Sequence, residues 1–169
     1  MSTPLDPWQA LELARRMVAD APAQLASGLT RAVRESSDER LAQVMRTPAR
    51  RLTLDALFWQ LGARVDAARP ESISALTRWR ITRRDGDEVD VYDLVITDGR
   101  CRVSRGTSPE KPRITITVEV VELLRLATGG SDPLRSYLRG DLGLSGDVVL
   151  AARLVWLLRG QSNGRVGEA

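Results

Sequence analysis

Residues 77–105 read TRWRITRRDGDEVDVYDLVITDGRCRVSR, and their two-residue period decides the fold class. Thr77, Trp79 and Ile81 alternate with Arg78, Arg80 and Thr82, which sends the two sets to opposite faces of a strand. The run stops at Asp85 and Gly86. Residues 89–97 are rich in valine, isoleucine and tyrosine and end at Asp98 and Gly99, a pair that tolerates positive φ at both central positions of a tight hairpin. Residues 100–105 return as a third strand, so the stretch predicts an antiparallel meander.

Downstream, a loop from Pro109 to Pro112 leads into Ile114, Thr115, Ile116 and Thr117, a fourth strand running into a helix marked by Val120, Val121, Leu124 and Ala127. Gly129 and Gly130 stop that helix. Asp132 and Pro133 are a cap and first-turn pair for a short helix ended by Gly140, and Leu142, Leu144 and Gly146 form a brief fifth strand. Asp147 then caps a last helix over 148–159.

Upstream the period is helical. Asp6 and Pro7 open a helix with Trp8, Leu11, Ala14, Val18 and Ala21 on one face, interrupted at Pro22, and a second segment carries Leu25, Leu29 and Val33. Ser36 with Glu39 fits a capping box for a short helix through Leu41, Val44 and Met45, ended by Pro48. Thr53 is placed to cap a helix whose apolar stripe is Leu54, Leu57, Phe58, Leu61 and Val65. Helices, a meander, then strand, helices, strand and helix make an α+β fold.

Composition narrows the function classes. The chain has 169 residues, 43% hydrophobic and 28% charged, within the range of folded proteins. Net charge is +3, and Lys111 is the only lysine. Residues 1–84 hold 14 basic and 9 acidic side chains and the remainder 11 and 13, so the halves stand at +5 and −2. No groove-binding motif accompanies this asymmetry, which argues against nucleic acid. The charged N-terminal stretch is not a secretory signal, and no apolar run is long enough to span a bilayer, so a cytoplasmic protein is expected.

There is no histidine, which removes the commonest general base and metal ligand, and the single cysteine, Cys101, excludes an internal disulfide. No catalytic residue, metal site or cofactor is predicted. Asp90 and Asp93 are three residues apart on one strand and point to opposite faces, so they do not form a catalytic pair. Asp93 is either buried and hydrogen-bonded or part of a pocket wall. The last helix is apolar nearly all round, with Val148, Val149, Leu150, Leu154, Trp156 and Leu158 interrupted only by Arg153. Such a helix is either a central core helix or the wall or lid of an apolar cavity.

These elements, in this order, resemble the sterol carrier protein two (sterol-binding) domain family over residues 54–159. The resemblance is carried by the Asp98–Gly99 hairpin, by Ile114-Thr115-Ile116 feeding a helix, by Gly129, Gly130 and Pro133, and by Gly140-Asp141-Leu142-Gly143-Leu144-Ser145-Gly146 seven residues beyond that proline. Asp141 and Gly143 stand where the family carries lysines, and Tyr137 and Leu138 occupy its paired aromatic positions.

The resemblance implies a bacterial member with a helical extension over 1–50, a lipid-binding domain over 51–160 and a flexible tail over 161–169. It implies a five-stranded, mainly antiparallel sheet covered on one face by helices that enclose an apolar tunnel. The lining would be Trp79, Tyr92 and Leu94 from the sheet, with Leu124, Leu134, Tyr137, Leu138, Leu150 and Leu154 from the helices. The expected function is to bind and carry a fatty acid, acyl-CoA, sterol-like or isoprenoid lipid, with Asp93, Tyr137 and Thr115 as candidates for selectivity.

Arg46, Arg50 and Arg51 either rest on anionic headgroups during transient membrane contact or form a solvated patch. A homodimer through the N-terminal helices is a further expectation. Two other readings stand beside the carrier: an accessory protein or enzyme of lipid, polyketide or isoprenoid metabolism that positions its substrate, and an interaction module whose core is filled.

Overall fold

The structure is a computed structural model, and it describes residues 23–68, 70, 73–84 and 86–153. The helix predicted around Trp8, the end of the last helix including Leu154, and the tail over 161–169 lie outside the described residues.

The described residues begin with three helices, α1 (Ala23–Glu35), α2 (Asp38–Val44) and α3 (Ala49–Ala67). Strands β1 (Ala75–Arg83), β2 (Gly86–Thr97) and β3 (Arg100–Arg105) follow, then β4 (Ile114–Glu119), α4 (Val120–Ala127), α5 (Pro133–Arg139) and β5 (Leu142–Gly146). A last helix, α6, is described over 148–153. The sheet order is β3-β2-β1-β4-β5, antiparallel except where β1 runs parallel to β4. The fold is α+β with a mixed, mostly antiparallel five-stranded sheet, as expected.

Local chemistry explains most boundaries. Asp98 and Gly99 adopt φ of 52° and 73°, the positive pair that a tight hairpin matched to the strand twist requires. Asp132 accepts from the Leu134 and Arg135 amides, Pro133 fills the first turn of α5, and Gly140 ends it at φ 83°. Asp147 accepts from the Leu150 amide at 3.0 Å, capping α6.

Two caps differ from the sequence reading. Ser37 rather than Ser36 caps α2, accepting from the Arg40 amide, because Ser36 Oγ is committed to the Ala32 carbonyl of the preceding helix. Helix α3 starts at Ala49 behind Pro48, and Thr53 lies inside it with its hydroxyl donating to the Ala49 carbonyl. A proline read as a helix end is therefore a helix start.

The strand registers sort the sheet into two unlike faces. On one, Trp79 lies between Tyr92 and Ile116, and Thr77 between Leu94 and Ile114. This face carries the core, including Leu94, Ile96, Ile114 and Val118, all buried. Burying each such side chain contributes about 1.5–3 kcal/mol. Helix α3 packs on it through Leu54, Phe58 and Val65, approaching so closely at Gly62 that a Cβ there would run into a Val103 methyl.

The opposite face mixes apolar side chains, Leu76, Val91 and Val95, with charged and hydroxyl ones. Arg78 and Asp93 pair across β1 and β2, with two hydrogen bonds at 2.9 and 3.0 Å. Asp93 also accepts from the Ser108 amide at 2.7 Å, and Arg78 donates to the Ser108 carbonyl, so the loop after β3 is pinned over the pair. The contact with Asp93 raises the Arg78 pKa above its already high ordinary value.

Helices α1 and α2 are tied to α4 by Arg34, which donates to the Thr128 carbonyl, and by Arg125, which reaches the Val33 and Ser36 carbonyls and Asp38.

Candidate functional site

One row across the core face brings the informative side chains together. Reading from β3 to β5, the register aligns Arg105, Tyr92, Trp79, Ile116 and Leu144. These side chains share a face because each is a direct cross-strand partner of the next. The row grades from charged through aromatic to aliphatic.

Helix α3 covers its charged and aromatic end. Phe58 stacks on Tyr92 with ring centroids 4.2 Å apart and meets Trp79 edge-on at 5.5 Å. One turn earlier, Asp55 accepts the Tyr92 hydroxyl proton at 2.6 Å and pairs with Arg105. Desolvation raises the Asp55 pKa, against the pull of the Tyr92 hydrogen bond and of Arg51. The Tyr92 phenol is pushed up as well, chiefly by burial and then by its bond to the Asp55 carboxylate.

The aliphatic end is covered less completely. Trp79, Leu142 and Leu144 are only partly buried against the core, whereas Tyr92 and Phe58 are enclosed. The result is an apolar strip on the core face of β1, β4 and β5 in which these three side chains stay partly exposed, bounded toward α3 by the Phe58–Trp79 contact.

The expected lining residues divide into three groups. Trp79, Tyr92 and Leu94 share the core face, but Leu94 is 2% exposed and Tyr92 is held beneath Phe58, which leaves Trp79 as the one of the three that remains partly exposed. Leu124 and Leu150, 1% and 2% exposed, are packed in the core. Leu134, Tyr137 and Leu138 stand exposed, at 62%, 42% and 74%.

The reason lies in the phase of α5. Its inward point is Ser136, fully buried, whose hydroxyl donates to Glu122 at 2.5 Å. At about 100° per residue, positions two before and two after Ser136 point to the far side.

The selectivity candidates are placed elsewhere. Asp93 is buried and hydrogen-bonded, and Thr115, cross-strand from Arg78, shares its face. Both lie on the side of the sheet opposite the one that α3 covers. Arg50 pairs with Asp90 at 3.0 Å, and Arg46 and Arg51 are exposed.

Cys101 is buried beside Gly62, and its amide donates to Asp66. Among the described residues no group of acidic, cysteine or histidine side chains is arranged to hold a metal ion, and no helix is long and apolar enough to cross a membrane.

Sequence reasoning did not single out Phe58, Asp55, Ile116, Leu142 or Leu144 as site residues. Phe58 was visible as one position of a helical stripe, and the others follow only once the strand register is known.

No curated protein matches the chain. Among solved structures, sterol carrier protein 2 like 2 from Aedes aegypti is 23% identical, with 62% of this chain and 94% of that one covered at a TM-score of 0.52. The solution structure of palmitated sterol carrier protein 2 like 2 from the same species gives 23%, 60%, 90% and 0.51 for the same measures. The stereoselective inverting sec-alkylsulfatase from Pseudomonas sp. is 19% identical, and the match covers 61% of this chain but only 16% of that enzyme, at a TM-score of 0.52. These likenesses show the fold. A family model, the SCP-2 sterol transfer family, matches residues 54–159, more than half of the sequence, and the chain belongs to that family.

Proposed function

We propose that this chain binds and carries a hydrophobic small molecule, a lipid with a long aliphatic portion, over the β1, β4 and β5 part of the core face. The observation that carries the reading is the partly exposed apolar strip of Trp79, Leu142 and Leu144, which lie on one face of three paired strands beside the buried core. Family membership and the palmitated relative from Aedes aegypti support it.

Burial at about 0.8 kcal/mol per methylene gives about 10 kcal/mol for a dozen methylenes. Association and ordering costs of about 4–15 kcal/mol offset much of this, so affinity on the order of micromolar with broad chain-length tolerance is expected.

The protein acts in the cytoplasm in this reading, and it meets anionic membranes transiently through Arg46 and Arg51. A homodimer through the N-terminal helices would have to use residues other than Val33 and Arg34, which are committed to the chain's own fold. The substrate-positioning reading has one observation in its favour, the recurrence of this fold as a small segment of an alkylsulfatase.

Titration with palmitate tests the proposal. One saturable site is expected, and Leu144→Arg should abolish uptake while preserving the circular dichroism of the folded chain. Unchanged uptake by a folded Leu144→Arg protein would place the ligand elsewhere.

A further inference from the structure

The Trp79 indole Nε1 is buried and has no acceptor among the described residues. Indole N–H is a donor only, and a buried donor without a partner is the exception in folded proteins. Its surroundings explain why nothing in the row satisfies it. On the β2 side, the Tyr92 hydroxyl is committed to Asp55, and the two Asp55 oxygens are taken by Tyr92 and Arg105. On the β4 side the neighbour is Ile116, followed by Leu144. Phe58 contributes only an aromatic ring, set at 72° to the indole.

The side chain bearing this donor is itself partly uncovered, as are Leu142 and Leu144 on the same face of the sheet. We infer that the Trp79 N–H is the specificity contact of the carrier site: it donates to an oxygen of the bound lipid and selects carboxyl, hydroxyl or carbonyl lipids over pure hydrocarbons. The inference rests on the carrier reading and adds the ligand's oxygen and where it sits. Because the Nε1 atom is enclosed in the free chain, contact with the ligand requires the indole to turn on binding. Aliphatic walls cannot make this discrimination, because they contact methylenes alike whatever the chain terminates in.

The test uses the full chain, labelled with nitrogen-15, and three probes: palmitate, 1-hexadecanol, and hexadecane delivered from cyclodextrin. The sequence has four tryptophans, and Trp79→Phe identifies the Trp79 indole resonance by its loss. Palmitate and hexadecanol should shift that indole proton downfield, and hexadecane should not.

Trp79→Phe should weaken palmitate binding about tenfold more than it weakens hexadecane binding, because both ligands lose the same apolar contact and only palmitate loses the hydrogen bond. Equal response to all three probes overturns the inference while leaving the carrier reading intact. So does an indole proton found strongly upfield in the free protein and unmoved by palmitate, because the N–H is then seated on the Phe58 ring. Binding of none of the three probes defeats the carrier reading and this inference together.

Discussion

Phe58 lies over Tyr92 with ring planes within 11° of parallel, and this stack joins the longest described helix to the second strand of the sheet. Both rings are buried, and Phe58 also touches Trp79. Phe58→Ala should therefore lower the unfolding free energy by about 3–5 kcal/mol. Chemical denaturation measures it. A loss under about 1 kcal/mol would mean that α3 is not docked through this contact.

The Arg78–Asp93 pair predicts a separation of stability from binding. Asp93→Ala takes the carboxylate from Arg78 and the acceptor from the Ser108 amide and should cost about 1–3 kcal/mol, whereas Arg78→Met with Asp93→Leu should recover part of that loss. The folded double variant should take up palmitate like the parent, because the pair faces away from the apolar strip. A changed affinity in that variant would support Asp93 as a selectivity group.

Gly62 predicts an inversion of helix propensity. Alanine normally stabilises a helix interior by about 1 kcal/mol over glycine. Here the added methyl meets Val103, so Gly62→Ala should destabilise by about 1–3 kcal/mol. Adding Val103→Ala to that variant should recover part of the loss, and additive losses in a double-mutant cycle would contradict the close approach.

Asp147 predicts a pH dependence. Its amide contact with Leu150, and then its bond to Arg113, hold its pKa below the ordinary 3.8. A carboxyl with a depressed folded-state pKa contributes stability that is fully present above 3.8 and is lost as pH falls through the lower folded value. The difference in melting temperature between the parent and Asp147→Ala should accordingly be largest near neutrality and shrink below pH 3.8. A difference that stays constant across that range would remove Asp147 as an ionised cap.

The sheet was legible because alternation and turn chemistry are local. Asp98 and Gly99 identify their hairpin from two residues, and Asp132, Pro133 and Gly140 bracket α5 in the same way. The site was less legible, since which strand residues meet depends on register. Trp79, Ile116 and Leu144 are far apart in the chain and become neighbours only through the pairing of β1 with β4 and β4 with β5. The phase of a seven-residue helix was not readable either: Leu134 and Leu138 look like core positions until the bond from Ser136 to Glu122 fixes which side turns inward. Asp93 posed the same difficulty, as its burial was foreseeable but its partner Arg78 lies on another strand.

Lipid binding over the apolar strip beside Trp79 is the proposal on which the rest depends. The most direct measurement is a native mass spectrum of the full chain after incubation with palmitate and removal of the unbound excess. One palmitate per chain is expected in the parent and none in folded Leu144→Arg. Bare parent protein at saturating palmitate, or equal loading of parent and variant, would contradict it.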